Sequence, residues 1–372
     1  MKIGCPKEIK NREYRVGLTP AAVAAYVRAG HEVFVEKSAG IEAGFPDAEY
    51  ELAGARISHE ADEVWQAADM IVKVKEPLPA EYARMRESQI VYAYFHFAAD
   101  RELTDACLKS RASCVAYELV AESWGLPLLQ PMSEVAGRMS AIMGAYYLGK
   151  HNGGSGVLPM GVPGVAPANI TVIGGGTVGI NAARVAAGIG ARVSILDVSQ
   201  KRLAYLAEVM PANCAPLFSD PLTLAREMAA SDVVIGAVLI PGGSKAPRLI
   251  TREHLKTMRN GSVFVDVAID QGGIAATSRA TSHDNPVFIE EGVVHYCVAN
   301  MPSAYGRTAT LALSNATIKY GLEIANRGLK DACGNDEALL KGLSTHKGEL
   351  LVKPVADTFG IKRKCPKEAL GL

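Results

Sequence analysis

The run Ile170-Thr171-Val172-Ile173-Gly174-Gly175-Gly176-Thr177-Val178-Gly179 constrains the fold more than any other stretch of the 372-residue sequence. A short apolar strand enters a glycine turn, an apolar helix-like segment leaves it, and the next strand ends on the acidic Asp197. Strand, turn, helix, strand and acid in that order form the dinucleotide-gripping unit of a doubly wound α/β domain. Gly174 suits the tight turn, Gly176 lets the backbone approach a pyrophosphate, and Gly179 permits close helix packing. The amides that open the helix then meet phosphate charge. Asp197 can accept from ribose hydroxyls and would repel a 2'-phosphate, which favours NAD over NADP. The basic pair Lys201-Arg202 either faces solvent or reaches a phosphate.

This unit begins only at residue 170, so a substantial region precedes it, and the chain is long enough for two domains of roughly 100 to 200 residues. Short apolar segments alternate with helical periodicity through the first 130 residues. Strands are expected at 2–5, 32–36, 70–75, 89–97 and 113–117, with a helix over 20–29 that has Pro20 in its first turn. That alternation implies a mostly parallel sheet covered on both faces. A helix is expected from Ser133, as cap, to about Lys150, with Val135, Met139, Ile142, Met143 and Tyr146 forming its apolar face. The Gly- and Pro-rich stretch 152–167 then leads into the cofactor strand. Further strands are expected at 192–197, 232–238, 262–268 and 293–299, a long helix at 308–326, and a polar loop and short helix around 350–359. The expected architecture is therefore two doubly wound domains joined by long crossing helices. A Rossmann NAD-binding domain (131–305) is inserted into a discontinuous Rossmann-like substrate domain (1–130 and 306–372).

Charge and cysteine usage narrow the function. With 39 basic and 39 acidic residues, no net field draws in nucleic acid or an anionic membrane. No run of 18 apolar residues is present, and the first six residues carry no apolar h-region. The seven scattered cysteines contain no CxxC pair and fit reduced thiols in a cytoplasmic protein. No HExxH or clustered Cys/His spacing asks for a metal, and His346 reads as structural.

Ligands of parallel sheets bind at the carboxyl ends of strands. Arg15, in the loop after the first strand, Lys75, which ends one apolar strand, and His96, near the end of the next, stand at such places. Taken alone, Arg15 could equally be an ion-pair partner, Lys75 an edge residue with its head in solvent, and His96 a hydrogen-bonded core histidine.

Eight longer stretches go further: KEIKNREYRVGLTP (7–20), KVKEPLPAEY (73–82), PMSEVAGRMS (131–140), VIGGGTVGINAARVAAGIGA (172–191), VIGAVLIPG (234–242), DVAIDQGG (266–273), YCVANMP (296–302) and KGLSTHKGEL (341–350). Over its whole length the chain resembles the L-alanine dehydrogenases, in the family that also holds the alpha subunit of proton-pumping NAD(P) transhydrogenase. The resemblance implies that Arg15 and Lys75 hold the substrate carboxylate and that His96 and Asp270 are catalytic. It implies an NAD site lined by Ser133, Gly174, Gly176, Thr177, Val178, Gly179, Asp197, Arg202, Ser219, Val238, Leu239, Val267, Ala268, Ile269, Asp270, Arg279, Val298, Ala299, Asn300 and Met301. Arg202 and Ser219 lie in its most variable part.

The reaction implied is reversible NAD-dependent conversion of L-alanine to pyruvate and ammonium. An Arg and a Lys clamp one carboxylate, and a histidine titrating near neutrality suits the proton transfers between imine, carbinolamine and ketone. Hydride passes from Cα to the nicotinamide, His96 activates water for attack on iminopyruvate, and Asp270 stabilises the imine. Ala93, Tyr94, Met132 and Met301 are candidate walls around the substrate. The resemblance also implies a homohexamer. A transhydrogenase-like nucleotide hydride exchanger, or a dehydrogenase for a larger 2-oxo acid, would need the same dinucleotide unit.

Overall fold

The computed structural model describes residues 1–238 and 246–372. The backbone contacts divide the chain into two compact units, Met1–Met132 with Ser303–Leu372, and Ser133–Pro302. In chain order the first unit supplies β1 (Lys2–Cys5), β2 (Glu32–Glu36), β3 (Arg56–Ser58), β4 (Met70–Val72), β5 (Ile90–Ala93) and β6 (Ser113–Ala116). The second supplies β7 (Asn169–Ile173), β8 (Arg192–Asp197), β9 (Cys214–Phe218), β10 (Val233–Gly236), β11 (Val263–Asp266), β12 (Val287–Glu290) and β13 (Val293–Tyr296). The chain then returns to the first unit with β14 (Leu343–His346) and β15 (Glu349–Leu350).

The strand order of the first sheet is β15-β14-β6-β5-β4-β1-β2-β3, and that of the second is β12-β13-β11-β10-β7-β8-β9. Pairing is parallel except for β6 with β14, β14 with β15, and β12 with β13. In each unit the winding reverses direction, between β1 and β4 in the first and between β7 and β10 in the second. Such switch points open a crevice at the carboxyl ends of the strands, where ligands bind.

Both faces of each sheet are buried, as parallel sheets require. Met70, Val72, Ile90 and Tyr92 point into one core of the first unit, while Ile71, Val91 and Ala93 point into the other. In the second unit Val233, Ile235, Val263 and Val265 alternate in the same way with Val234 and Phe264. Each Val, Ile, Met or Phe among them contributes about 1.5–3 kcal/mol on burial.

Several expectations are corrected. β4 and β5 stop at Val72 and Ala93, so Lys75 and His96 lie beyond the strands rather than in them. β3, β9, β12, β14 and β15 were not foreseen, because they are short edge or near-edge strands with weak apolar patterning. The helix Gln130–Tyr147 begins three residues before Ser133, which sits in its first turn and is not its cap. Ile142 and Tyr146 of the expected apolar face are exposed. Small residues form the packing face instead: a Cβ on Gly137 would lie 2.3 Å from Val178 O, and one on Gly144 2.6 Å from a Val233 methyl. Close backbone approach, invisible to a count of apolar residues, sets that face. The helix Gly306–Arg327 and the short helices Leu329–Asn335, Glu337–Gly342 and Lys353–Phe359 complete the first unit.

Candidate active site

In the first unit, Arg15, Lys75 and His96 follow β1, β4 and β5, at and beside the switch point. The loop after β1 folds back on β4, and Gly17 makes this possible, since a Cβ there would lie 2.4 Å from Val72 O. Arg15 is buried and locked by Glu13, with Nε donating to Oε1 at 2.6 Å and Nη2 to Oε2 at 2.5 Å. Nη1 meets Met132 Sδ at 3.1 Å. Burial opposes the charge, but the Glu13 carboxylate outweighs it and holds the guanidinium above its ordinary pKa. Arg15 is thus a fixed cation.

Lys75 is fixed through its backbone. Glu8 Oε1 accepts the Val74 N–H at 2.6 Å and the Lys75 N–H at 3.3 Å, and its other oxygen lies 3.2 Å from Lys73 Nζ. Lys73 reaches Glu81 at 3.0 Å, and Glu81 accepts from Leu78 N–H at 2.9 Å. This buried Glu8-Lys73-Glu81 triad staples the turn that carries Lys75. Burial raises the Glu8 pKa despite the pull of Lys73, while the two carboxylates outweigh burial at Lys73 and keep it charged.

His96 takes the left-handed conformation, φ 53° and ψ 40°, and its imidazole is half exposed. The Tyr94 ring lies parallel to it at 6.0 Å, and the Tyr94 hydroxyl is tied to Leu128 O at 2.5 Å. Ala93, Tyr94 and Met132, the candidate walls of this unit, are all buried.

The second unit carries the dinucleotide crevice. Gly174 has φ +101°, and a Cβ there would lie 2.8 Å from Ala237 O across the switch point, beside Val238. A Cβ on Gly179 would lie 1.8 Å from Gly174 O, so the helix Thr177–Gly188 can start so close to β7 only with glycine there. Among the described residues nothing lies within 4 Å of the Cβ position of Gly176, and no side chain caps this helix. Its first amides, including those of Thr177 and Val178, suit a pyrophosphate. Asp197 Oδ2 accepts the Gly175 N–H at 2.8 Å, Oδ1 accepts the Ser199 N–H at 2.8 Å, and the Ser219 amide donates to Asp197 O at 3.0 Å. Arg202 Nε donates to Gly175 O, and its guanidinium lies 4.9 Å over the Tyr205 ring. The residues therefore fit a dinucleotide.

On the other side of the crevice, Val267, Ala268, Ile269 and the exposed Asp270 form the 3-10 turn after β11. Val298 bridges Thr281, and Ala299 donates to Thr281 O at 3.1 Å, just before the left-handed Asn300 and the buried Met301. Arg279 stacks 4.0 Å over Phe288. Ser133 is half-buried on its helix, and Leu239 lies outside the described residues. Among the described residues no group of three or more His, Cys, Asp or Glu side chains could hold a metal ion, and no helix is long and apolar enough to cross a membrane.

Comparison with known proteins matches residues 4–136 to the alanine dehydrogenase/PNT N-terminal domain and residues 140–353 to its C-terminal domain. The chain belongs to the alanine dehydrogenase/PNT family. It is 50% identical over 374 residues to alanine dehydrogenase 2 of Staphylococcus aureus (strain USA300), with both chains covered in full. Among solved structures it is similar to an L-alanine dehydrogenase (TM-score 0.93, 47% identity, 97% of this chain and 99% of that one). It is also similar to a transhydrogenase from Sinorhizobium meliloti (TM-score 0.80, 27% identity, 94% and 98%).

Within this alanine dehydrogenase/PNT chain, several residues around the site escaped sequence reasoning. Glu13 shares its motif with Arg15, and two opposite charges two residues apart could have signalled a pair. Glu8, Glu81 and Glu118 act on backbone amides, which no side-chain pattern reports. Asp266 is similar: it is buried and accepts from Ala268 N–H, Ile274 N–H and the Ser278 hydroxyl at 3.1, 2.9 and 2.5 Å. Gly273 is required beside it, because a Cβ would come within 2.4 Å of its carboxylate. Asp266 thereby ties down both ends of the turn bearing Asp270.

Proposed function

We propose that the chain is an NAD-dependent L-alanine dehydrogenase that interconverts L-alanine with pyruvate and ammonium. The carrying observation is that Arg15, Lys75 and His96 gather beyond the carboxyl ends of β1, β4 and β5 in a chain half-identical, end to end, to an alanine dehydrogenase. A fixed guanidinium and an ammonium suit the single carboxylate shared by alanine and pyruvate. A nicotinamide held in the crevice of the second unit would supply the acceptor for the Cα hydride of L-alanine, whose loss gives iminopyruvate. His96 then takes a proton from water as the water oxygen bonds to the imine carbon. It returns that proton to nitrogen as the C–N bond breaks, and the hydroxyl proton leaves with ammonia as ammonium, giving pyruvate. Asp270 stabilises the cationic imine.

The test is NADH absorbance at 340 nm with L-alanine and NAD+ in alkaline buffer, and its loss with pyruvate, ammonium and NADH. Folded protein that forms no NADH overturns the proposal. Glycine, serine and 2-aminobutyrate run alongside measure strictness, since one methylene is worth only about 1–3 kcal/mol in a pocket.

The acidic Asp197 at the end of β8 supports NAD rather than NADP, since its carboxylate would repel a 2'-phosphate brought to it. With Asp197→Ser, the KM for NAD+ is expected to rise about 10- to 100-fold, because a hydrogen bond to a charged group is worth about 1.5–3 kcal/mol. The KM for NADP+ is expected to fall, and steady-state kinetics with both nucleotides read the crossover.

The active form we propose is a homohexamer, a number that comes from the resemblance to L-alanine dehydrogenases; exposed apolar side chains of the second unit, among them Ile142, Tyr146, Met160, Val162 and Val165, support self-association. Light scattering is expected to give six times 39.4 kDa. A cytoplasmic location fits the seven free cysteines, six of them buried. Burial pushes the Cys5, Cys297 and Cys333 thiols up to about 12, so they persist as unreactive thiols.

A further inference from the structure

Glu118 stands in the short 3-10 turn Tyr117–Leu119 that follows β6, and no part of the reaction described above uses it. Its placement follows from strand register. Ala93, the last residue of β5, pairs with Ala116, the last of β6, so the two chains leave the sheet side by side and Glu118 comes within reach of the Phe95 and His96 amides. Its carboxylate accepts the Phe95 N–H at 3.2 and 3.3 Å and the His96 N–H at 2.6 Å. The same Oε1 lies 4.0 Å from His96 Nδ1, and only 12% of the Glu118 side chain is exposed.

His96 needs such a partner. A residue with a Cβ is strained in the left-handed region, and it persists there only where its surroundings enforce it. Two amides held by one carboxylate enforce the turn from one side. The Ala99 N–H, donating to His96 O at 2.9 Å, closes it from the other. Tyr94, stacked on the ring, fixes its plane. Among the described residues Glu118 and Tyr94 lie against the imidazole, and of the two Glu118 brings a formal charge.

We infer that Glu118 is the positioning residue for His96, fixing its backbone and placing the imidazole hydrogen on Nδ1 so that Nε2 is the nitrogen that exchanges protons with water and amine. The inference rests on the reading of His96 as the acid–base residue. A neutral imidazole has one nitrogen that donates and one that accepts, and a neighbouring acceptor decides which. At 4.0 Å the Glu118 charge acts on the ring electrostatically, favouring the hydrogen on the nearer Nδ1 and so the lone pair at Nε2. During hydrolysis of the imine, Nε2 gains the proton that water gives up as its oxygen bonds to carbon. It loses that proton to nitrogen as the C–N bond breaks, and Nδ1 keeps its hydrogen throughout.

The experiment uses the full chain with Glu118→Gln, which keeps an oxygen acceptor, Glu118→Leu, which keeps none, and His96→Asn as reference. In ¹⁵N-histidine-labelled protein at alkaline pH, the signal missing from His96→Asn identifies His96. It is expected to show the Nδ1–H tautomer in the wild type and in Glu118→Gln, and Nε2–H in Glu118→Leu. The kcat for L-alanine oxidation is expected to fall about 10- to 100-fold in Glu118→Leu and less in Glu118→Gln, with KM for L-alanine unchanged, because the orienting acceptor acts through the histidine and not on the carboxylate clamp. The solvent deuterium isotope effect on kcat rises in Glu118→Leu, and the effect of deuterium at Cα falls toward unity, as hydrolysis becomes limiting. If His96→Asn is as active as the wild type, the reading of His96 itself fails. If His96→Asn is inactive while the Glu118 variants keep the wild-type kcat, isotope effects and tautomer, only the role of Glu118 fails. Should Glu118→Leu not fold, Glu118→Met, which also lacks an acceptor, takes its place: the Nε2–H tautomer with a lower kcat at constant KM supports the inference, and the wild-type tautomer with the wild-type kcat overturns it.

Discussion

Asparagine in place of His96 is expected to lower kcat for L-alanine oxidation by about 10²- to 10⁴-fold, the usual worth of a positioned acid–base group. Asparagine is the informative replacement because the position is left-handed, with φ 53°. Asn tolerates that region better than other non-glycine residues, so the backbone turn survives while the imidazole is lost. Alanine would combine lost chemistry with added strain. The dinucleotide crevice belongs to the other unit, so NADH affinity, read by fluorescence titration, is expected to stay at the wild-type value. Added imidazole is expected to restore part of the rate. A variant with wild-type kcat would remove His96 from the chemistry and leave water attack without a base.

That prediction depends on a conformation the sequence does not spell out. The apolar run 89–97 reads as one strand, yet β5 ends at Ala93 and the chain turns. Periodicity reports which residues are buried, and Tyr94, Phe95 and Phe97 are buried whether or not they pair. Hence the run looks continuous and its end is hidden. The glycine turn at 174–179 was legible for the opposite reason: each glycine answers a local steric demand, such as the Gly174 carbonyl against Gly179, and local demands are written locally. The places of Arg15 and Lys75 beyond apolar runs were legible too, whereas the role proposed for each comes from the resemblance and not from the pattern. Glu8 and Glu118 were not legible, because each holds amides many residues away, and such partners become neighbours only once the sheet order is known. The small-residue face of the helix Gln130–Tyr147 belongs with these, since close approach is a property of two elements together.

Arg15 is where function and stability are hardest to separate, and a double substitution separates them. Arg15→Met alone is expected to raise the KM for L-alanine and for pyruvate about 10- to 100-fold, from a lost charge-assisted hydrogen bond of about 1.5–3 kcal/mol. It is also expected to destabilise the chain by about 3–5 kcal/mol, because the almost wholly buried Glu13 carboxylate loses the guanidinium that neutralises it. Adding Glu13→Gln removes the orphaned charge. Replacing both partners of a buried pair is often nearly neutral for stability, so the midpoint of denaturant unfolding is expected to return most of the way. KM is not expected to return, since nothing then meets the substrate carboxylate on that side. Glu13→Gln alone leaves a cation without its rigid partner: it is expected to retain more affinity than Arg15→Met and to lose part of kcat, because the clamp keeps its charge and loses its orientation. Recovery of both stability and KM in the double variant would mean that Arg15 is only the counterion of Glu13, and the carboxylate clamp would then rest on Lys75 alone.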